Sequence, residues 1–251
     1  MASLLEQAKK AIPAEVRMFS GCRDEQTSAD VSNVATFQLP DPAGRAGGAC
    51  TSAMLNVLYA DHKKVEEDLS FEQVLEKMRG MLKTGRYTQI PQLSASRPMD
   101  IHTQFDLVPP SCEGGTRRAI LIGINYIGHK QGVLSGCHND VKNMLEYIKN
   151  VHGFEDANCT VLLDDGQHTP PTKANILAAY RDIVSKTKPG DAVFAHYSGH
   201  GKFGLAGTLK IDATTWLLTL SLIHSSRSSR ARRRWRRRRW LRRNPGAGRL
   251  R

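Results

Sequence analysis

Between residues 117 and 201 the chain alternates apolar runs with amphipathic stretches, and that alternation limits its fold more than any other feature. RRAILIGINY is an apolar run ending in Gly-Ile-Asn and reads as a buried strand. After the turn HKQGVLSGC, the stretch NDVKNMLEYIKNV sets Val141, Met144, Leu145 and Ile148 at helical spacing, with Asn139 or Asp140 as candidate N-cap. CTVLLDD is a second strand ending in acids. Thr172 can cap the helix KANILAAYRDIVSKTK, which Pro189-Gly190 terminates, and DAVFAHYS is a third strand. Strand–helix–strand–helix–strand with short connections predicts an α/β fold, a mostly parallel sheet flanked by helices. In such sheets the working residues gather at the carboxyl ends of the strands, here residues 123–126, 164–165 and 198–201.

Residues 14–108 read as a second unit. EVRMFSGC is a candidate strand, while GGACTSAMLNVLYADHK and SFEQVLEKMRGMLKTG read as helices, the latter with Phe71, Val74, Leu75, Met78 and Leu82 on one stripe. PPSCEGGT, residues 109–116, reads as a linker. The net charge of +12 sits at one end: residues 227–251 hold thirteen arginines and no acid, so the first 226 residues carry −1. All three tryptophans, Trp216, Trp235 and Trp240, also lie beyond Lys202. Five cysteines without CxxC spacing argue against a metal site and against a secreted disulfide framework, and reduced thiols point to a cytoplasmic protein. The amino terminus lacks a signal-peptide apolar region, and TTWLLTLSLI is too short to span a bilayer, so no membrane span is expected.

RRAILIGINY, LSGCHNDVKNM, TVLLDD and DAVFAHYSGHG together resemble, in order and spacing, the large-subunit region of metacaspases, the caspase-like cysteine peptidases of protists, plants and fungi. The match covers residues 117–201. Upstream, SGCRDEQTSADV, PDPAGRAGGACTSAMLNVL and PQLSASRPMD resemble the small-subunit region of the same family, within residues 14–108. That region precedes the large one here, as in the type III arrangement of algae. The resemblance implies a caspase-like sheet and an endopeptidase that cuts protein or peptide substrates after Arg or Lys.

Cysteine peptidases need a thiolate and a histidine within hydrogen-bond reach. In YSGHG the resemblance assigns the catalytic role to His200, and the flanking glycines let the backbone turn sharply. His196, on the apolar strand, reads as structural. The HxxxH spacing of these histidines binds zinc when it lies on a helix, but Ser-Gly breaks a helix here. The resemblance places Cys137, Asp140 and Ser198 in the pocket for the substrate's basic side chain, where an acid pairs with a guanidinium. Read alone, Asp140 is equally an N-cap and Cys137 a small buried thiol. The Asp/Ser/Thr cluster of SGCRDEQTSADV reads as helix-capping, without a catalytic role.

The family's nucleophile lies downstream of its histidine, and no cysteine follows Cys159 here. The family's calcium-binding acids are missing too: after Gly201 the sequence holds one acid, Asp212, so no cofactor is expected to be retained. Cys137 is an alternative nucleophile only by its place at a strand end. Residues 202–251 are expected to lie outside the family pattern, leaving the sheet incomplete after its third strand and followed by an irregular arginine-rich end. A basic tail could neutralise phosphates in nucleic acid or rest on an anionic surface, with Trp235 and Trp240 stacking. The abrupt loss of acids inside a domain instead favours a shifted reading frame or exon boundary near residue 202.

Overall fold

A computed structural model describes residues 12–37 except 13, 24, 25 and 27, residues 46–60, 64, 68–130 and 132–200, residues 3, 6 and 7, and the backbone alone of 216–221. The arginine-rich stretch 227–251 lies outside the described residues. Eight strands are described: β1 (Glu15–Ser20), β2 (Asp30–Val31), β3 (Gly47–Gly48), β4 (Gln92–Ala95), β5 (Arg117–Gly123), β6 (Cys159–Leu163), β7 (Ala192–Ser198) and β8 (Trp216–Ser221). Four α-helices accompany them: α1 (Ala49–Leu58), α2 (Phe71–Thr84), α3 (Cys137–His152) and α4 (Lys173–Lys186).

Six strands form one sheet in the order β4-β1-β8-β7-β5-β6, and β2 pairs with β3 separately. β5 is parallel to both β6 and β7, as the strand–helix alternation predicts. The expectation of a sheet ending at its third strand is corrected. β8 runs antiparallel to β7 along residues 192–197 and antiparallel to β1 along residues 15–20, so β7 is an interior strand and β6 and β4 are the edges. Its backbone satisfies the N–H and C=O groups that β1 and β7 would otherwise expose at their facing edges.

Strand alternation sorts the core into two layers. Ala119, Leu121, Ala192 and Phe194 point to one face and pack with α1, α2 and α3. Ile120, Ile122, Val193, Ala195 and Tyr197 point to the other and pack with Ile176 and Ile183 of α4. Nine of the ten α1 residues are buried, as a helix without a polar face requires. α2 is amphipathic: it buries Phe71, Val74, Met78 and Leu82, and it opens with a capping box in which Ser70 and Gln73 satisfy each other's backbone N–H. Thr172 caps α4 by accepting from Asn175 N–H. α3 ends at Gly153 in the left-handed conformation, with Phe154 N–H reaching back to Ile148. At the far end of β5, a Cβ on Gly123 would lie 2.8 Å from the Cys137 carbonyl oxygen, so only glycine lets α3 start this close to the sheet.

Both halves of the chain contribute to one core, because Phe19, the α1 residues and the α2 stripe join the cluster that holds Met144, Tyr147 and Phe194. Among the described residues no helix is long and apolar enough to cross a membrane. Phe194 is fully buried on the central strand and meets the Phe154 ring edge-on at 6.2 Å. Phe194→Ala should therefore cost about 3–5 kcal/mol of stability in urea unfolding. Val184→Ala, at an exposed α4 position, should stay within about 0.5 kcal/mol.

Candidate active site at the carboxyl ends of β5 and β7

β5 and β7 run in the same direction with Gly123 opposite Ser198, so the turns that follow them gather on one rim. His200 lies two residues beyond β7 and is exposed. Its Nε2 is 2.6 Å from the carbonyl oxygen of Gly132, in the loop that follows β5. A carbonyl can only accept, so Nε2 carries the proton and the neutral ring keeps its lone pair on Nδ1. An exposed imidazole with a fixed donor side, whose Nδ1 meets no partner among the described residues, is equipped to act as a base.

Ser198, Asp140 and Cys137 are brought together beside this rim, all three buried. Ser198 Oγ donates to Asp140 Oδ2 at 2.7 Å, and Gly48 N–H donates to Asp140 Oδ1 at 2.8 Å. The reading of Asn139 or Asp140 as the α3 N-cap is corrected. Gly136 holds that position, Asn139 donates to the Ala46 carbonyl, and Asp140 sits inside the first turn facing the core. Burial pushes its carboxyl from 3.8 up to about 7, although the Ser198 and Gly48 bonds favour the charged form. Cys137 is a thiol at neutral pH. Burial raises it to about 12, the nearby Asp140 and Asp30 carboxylates add to the shift, and hydrogen bonding with Ser198 offsets it only in part. A protonated thiol is a poor nucleophile, so its surroundings argue against Cys137 as the attacking group.

The α3 N-terminus is capped by residues distant in sequence. Asp30 accepts from Ser135 and Gly136 N–H at 2.9 and 3.1 Å, and Asn125 Oδ1 accepts from Cys137 N–H at 2.9 Å. The helix-capping reading of the SGCRDEQTSADV cluster thus applies to Asp30, but for a helix more than a hundred residues downstream. Asp164, at the end of β6, accepts from Asn125 and Ile127 N–H and from His138 Nε2. Burial opposes its charge, yet these three bonds hold it below the usual carboxylate range. Asn125 and Asp164 lie at the strand ends where the sequence places working residues, though neither was given a role, while Asp30, Gly48 and Gly132 were not singled out as site residues. The acids that end CTVLLDD were the nearest available signal. His196 is buried at 1% exposure, its ring nitrogens lack a partner among the described residues, and burial lowers it to about 3.

The sequence matches two family models, "Metacaspase, peptidase C14 domain" over residues 117–214 and "Caspase domain" over residues 4–101. It is 63% identical over 202 residues to Metacaspase III c of Phaeodactylum tricornutum, which covers 79% of this chain and 60% of that protein. It is 53% identical over 89 residues to Metacaspase-1A of Aspergillus oryzae, covering 35% of this chain and 21% of that protein. It is also 49% identical over 116 residues to Metacaspase-1 of Ajellomyces capsulatus, covering 45% and 31%. The chain therefore spans 60% or less of the length of these curated relatives.

Two outcomes test the site's electrostatics. Asp140 has a folded pKa above its unfolded one, so the native state binds more protons between about pH 4 and 7 and stability from this group falls as pH rises through that window. His152 and His196 are lowered to about 4 and 3, so between those values and 6.5 the unfolded state binds more protons and stability rises with pH. Asp140→Asn removes the opposing slope, and urea midpoints of the variant should climb more steeply than the parent's from about pH 4 to 6.5. Cys137 should resist thiol reagents at neutral pH in the native chain and react in urea, as peptide mapping after labelling would read. Rapid native labelling would contradict the buried thiol.

Proposed function

Because the chain belongs to the metacaspase family, we propose that it carries the base and the substrate pocket of a cysteine endopeptidase that cuts after Arg or Lys. The observation that carries this reading is the assembly of Cys137 and Ser198 beside the buried carboxylate of Asp140, with His200 two residues beyond Ser198. His200 takes the proton through Nδ1, while Gly132 holds the opposite ring nitrogen. Asp140 pairs with the substrate's guanidinium or ammonium group, and Ser198 and Cys137 line the pocket. The order of the two halves, with the small-subunit-like segment first, is read as type III-like.

We propose that the chain as it stands turns over no substrate. The cysteine brought to this rim among the described residues, Cys137, is held protonated, and the sequence has no cysteine after Cys159, where the family's nucleophile would lie. The family also implies stimulation by calcium. Among the described residues no three His, Cys, Asp or Glu side chains are grouped to hold a metal ion, and after Gly201 the sequence supplies only Asp212. The described residues do not fit the ion. A second reading rests on composition: thirteen arginines within residues 227–251, interleaved with Trp235 and Trp240, suit a nucleic acid or anionic surface. Salt-sensitive binding of DNA that disappears on deleting 227–251 would support that reading, and no binding at low salt would remove it.

The peptidase reading is tested with Arg-terminated fluorogenic peptides, with and without calcium. No turnover is expected from the chain or from His200→Ala, and turnover abolished by His200→Ala would overturn the proposed inactivity. The pocket is tested separately by calorimetry with an Arg-terminated peptide. Binding should strengthen as pH rises through about 7, where Asp140 ionises, and should fall at least about tenfold in Asp140→Asn. Equal binding by the variant would remove Asp140 from the pocket.

A further inference from the structure

We propose that Tyr126 and Tyr197 are positioning residues for His200: together they hold its backbone and ring so that Nδ1 stays the free nitrogen. This rests on the reading of His200 as the base and adds the parts that orient it. His200 lies outside any strand or helix, where a backbone is ordinarily free to rotate. Here both of its main-chain polar groups are taken by phenols. The His200 N–H donates to Tyr126 Oη at 3.1 Å, and Tyr197 Oη donates to the His200 carbonyl at 3.0 Å. Burial, and then the neighbouring Tyr126 hydroxyl, raises the Tyr197 hydroxyl.

The ring is held as closely as the backbone. The Tyr126 ring lies against the imidazole at 4.8 Å between centroids, tilted 40°, while Nε2 is engaged by Gly132. Backbone, ring face and one ring nitrogen are thereby engaged, and among the described residues Nδ1 remains. Two features show that this arrangement is imposed by its surroundings. Tyr126 has φ of +57°, a conformation that an aromatic residue adopts only when its neighbours enforce it. Those neighbours are fixed, since the amides of Asn125 and Ile127 on either side both donate to Asp164. The second feature is Gly199, where a Cβ would lie 2.7 Å from Tyr197 Oη. The hydroxyl crosses the turn where any other residue would displace it.

Tyr197 reaches this point from β7 because its side chain lies on the α4 face, opposite Ser198. The strand thus sends Ser198 to the pocket on one face and the clamp hydroxyl on the other. Tyr126 reaches it from the end of β5. The base is held jointly by the two strands whose carboxyl ends make the rim, and Asp164 at the end of β6 braces the loop that carries Tyr126.

A phenol that merely filled space would be replaced by Phe without consequence for the imidazole, and this separates the two roles. The chain is labelled with ¹⁵N-histidine and long-range ¹H–¹⁵N spectra are recorded near pH 8.5, where an ordinary imidazole of pKa about 6.5 is neutral. The His200 signals are identified by their loss in His200→Ala. The parent should show one Nε2–H tautomer. Tyr126→Phe and Tyr197→Phe should each lose that single tautomer, their signals moving toward a mixture, while far-UV circular dichroism stays unchanged. Retention of the single tautomer in both folded variants would overturn the proposal, as would a mixed tautomer in the parent. Should one variant fail to fold, the other decides alone. The measurement needs no turnover, so its failure is distinguishable from failure of the peptidase reading, which the fluorogenic assay decides.

Discussion

The site depends on how one buried carboxylate is satisfied. Asp140 is 2% exposed, and an ionisable group at that depth is costly unless its oxygens find donors. Two of its donors come from distant parts of the chain. Gly48 N–H belongs to β3 in the upstream segment, and Ser198 Oγ ends β7 in the downstream one. Satisfying Asp140 therefore ties α3, β3 and β7 together. Asp30 on β2 repeats the logic at the α3 N-terminus, where its carboxylate takes the Gly136 N–H and both the N–H and hydroxyl of Ser135. Two acids from distant parts of the sequence thus join the upstream segment to the rim that carries His200. Burial, working against those donors, keeps Asp140 protonated to about pH 7, so that its charge, and with it any attraction for a cationic side chain, appears near neutrality.

Local patterns were enough for the secondary structure because helix stripes and apolar runs are written in neighbouring residues. The α2 stripe, the Thr172 cap and the three parallel strands all follow from that kind of signal. The site was legible only as membership. Asp140 and Asn139 looked like caps because Asp and Asn beside a helical pattern usually are, yet the donors that engage Asp140 lie 92 and 58 residues away. Gly132 carries no side chain and acts through its carbonyl, so nothing in residue type marks it. β8 was hidden for a related reason: TTWLLTLSLI is an isolated apolar run whose partners, β1 and β7, are set by the sheet rather than by adjacent residues.

His196 and Ser198 show how one strand face divides between packing and polar chemistry. Both point to the face that carries α3, yet only Ser198 finds a carboxylate. His196 lies two residues further into the strand with its ring nitrogens unpartnered among the described residues, and burial lowers it to about 3. A neutral, desolvated imidazole costs stability, on the order of 1–3 kcal/mol for the unsatisfied groups. An apolar side chain of similar shape would avoid that cost without disturbing any hydrogen bond of the site.

The difference between the two histidines of AHYSGHG thus follows from position along β7. His196 lies within the strand, where packing on both faces excludes water and removes the possibility of taking a proton near neutrality. His200 lies past the strand end, where the ring meets solvent on one side and protein on the other. A base must be both hydrated enough to accept a proton and held well enough to present one nitrogen. Only the second position meets both requirements, because the strand has stopped and the turns after β5 and β7 still supply a carbonyl and an aromatic face.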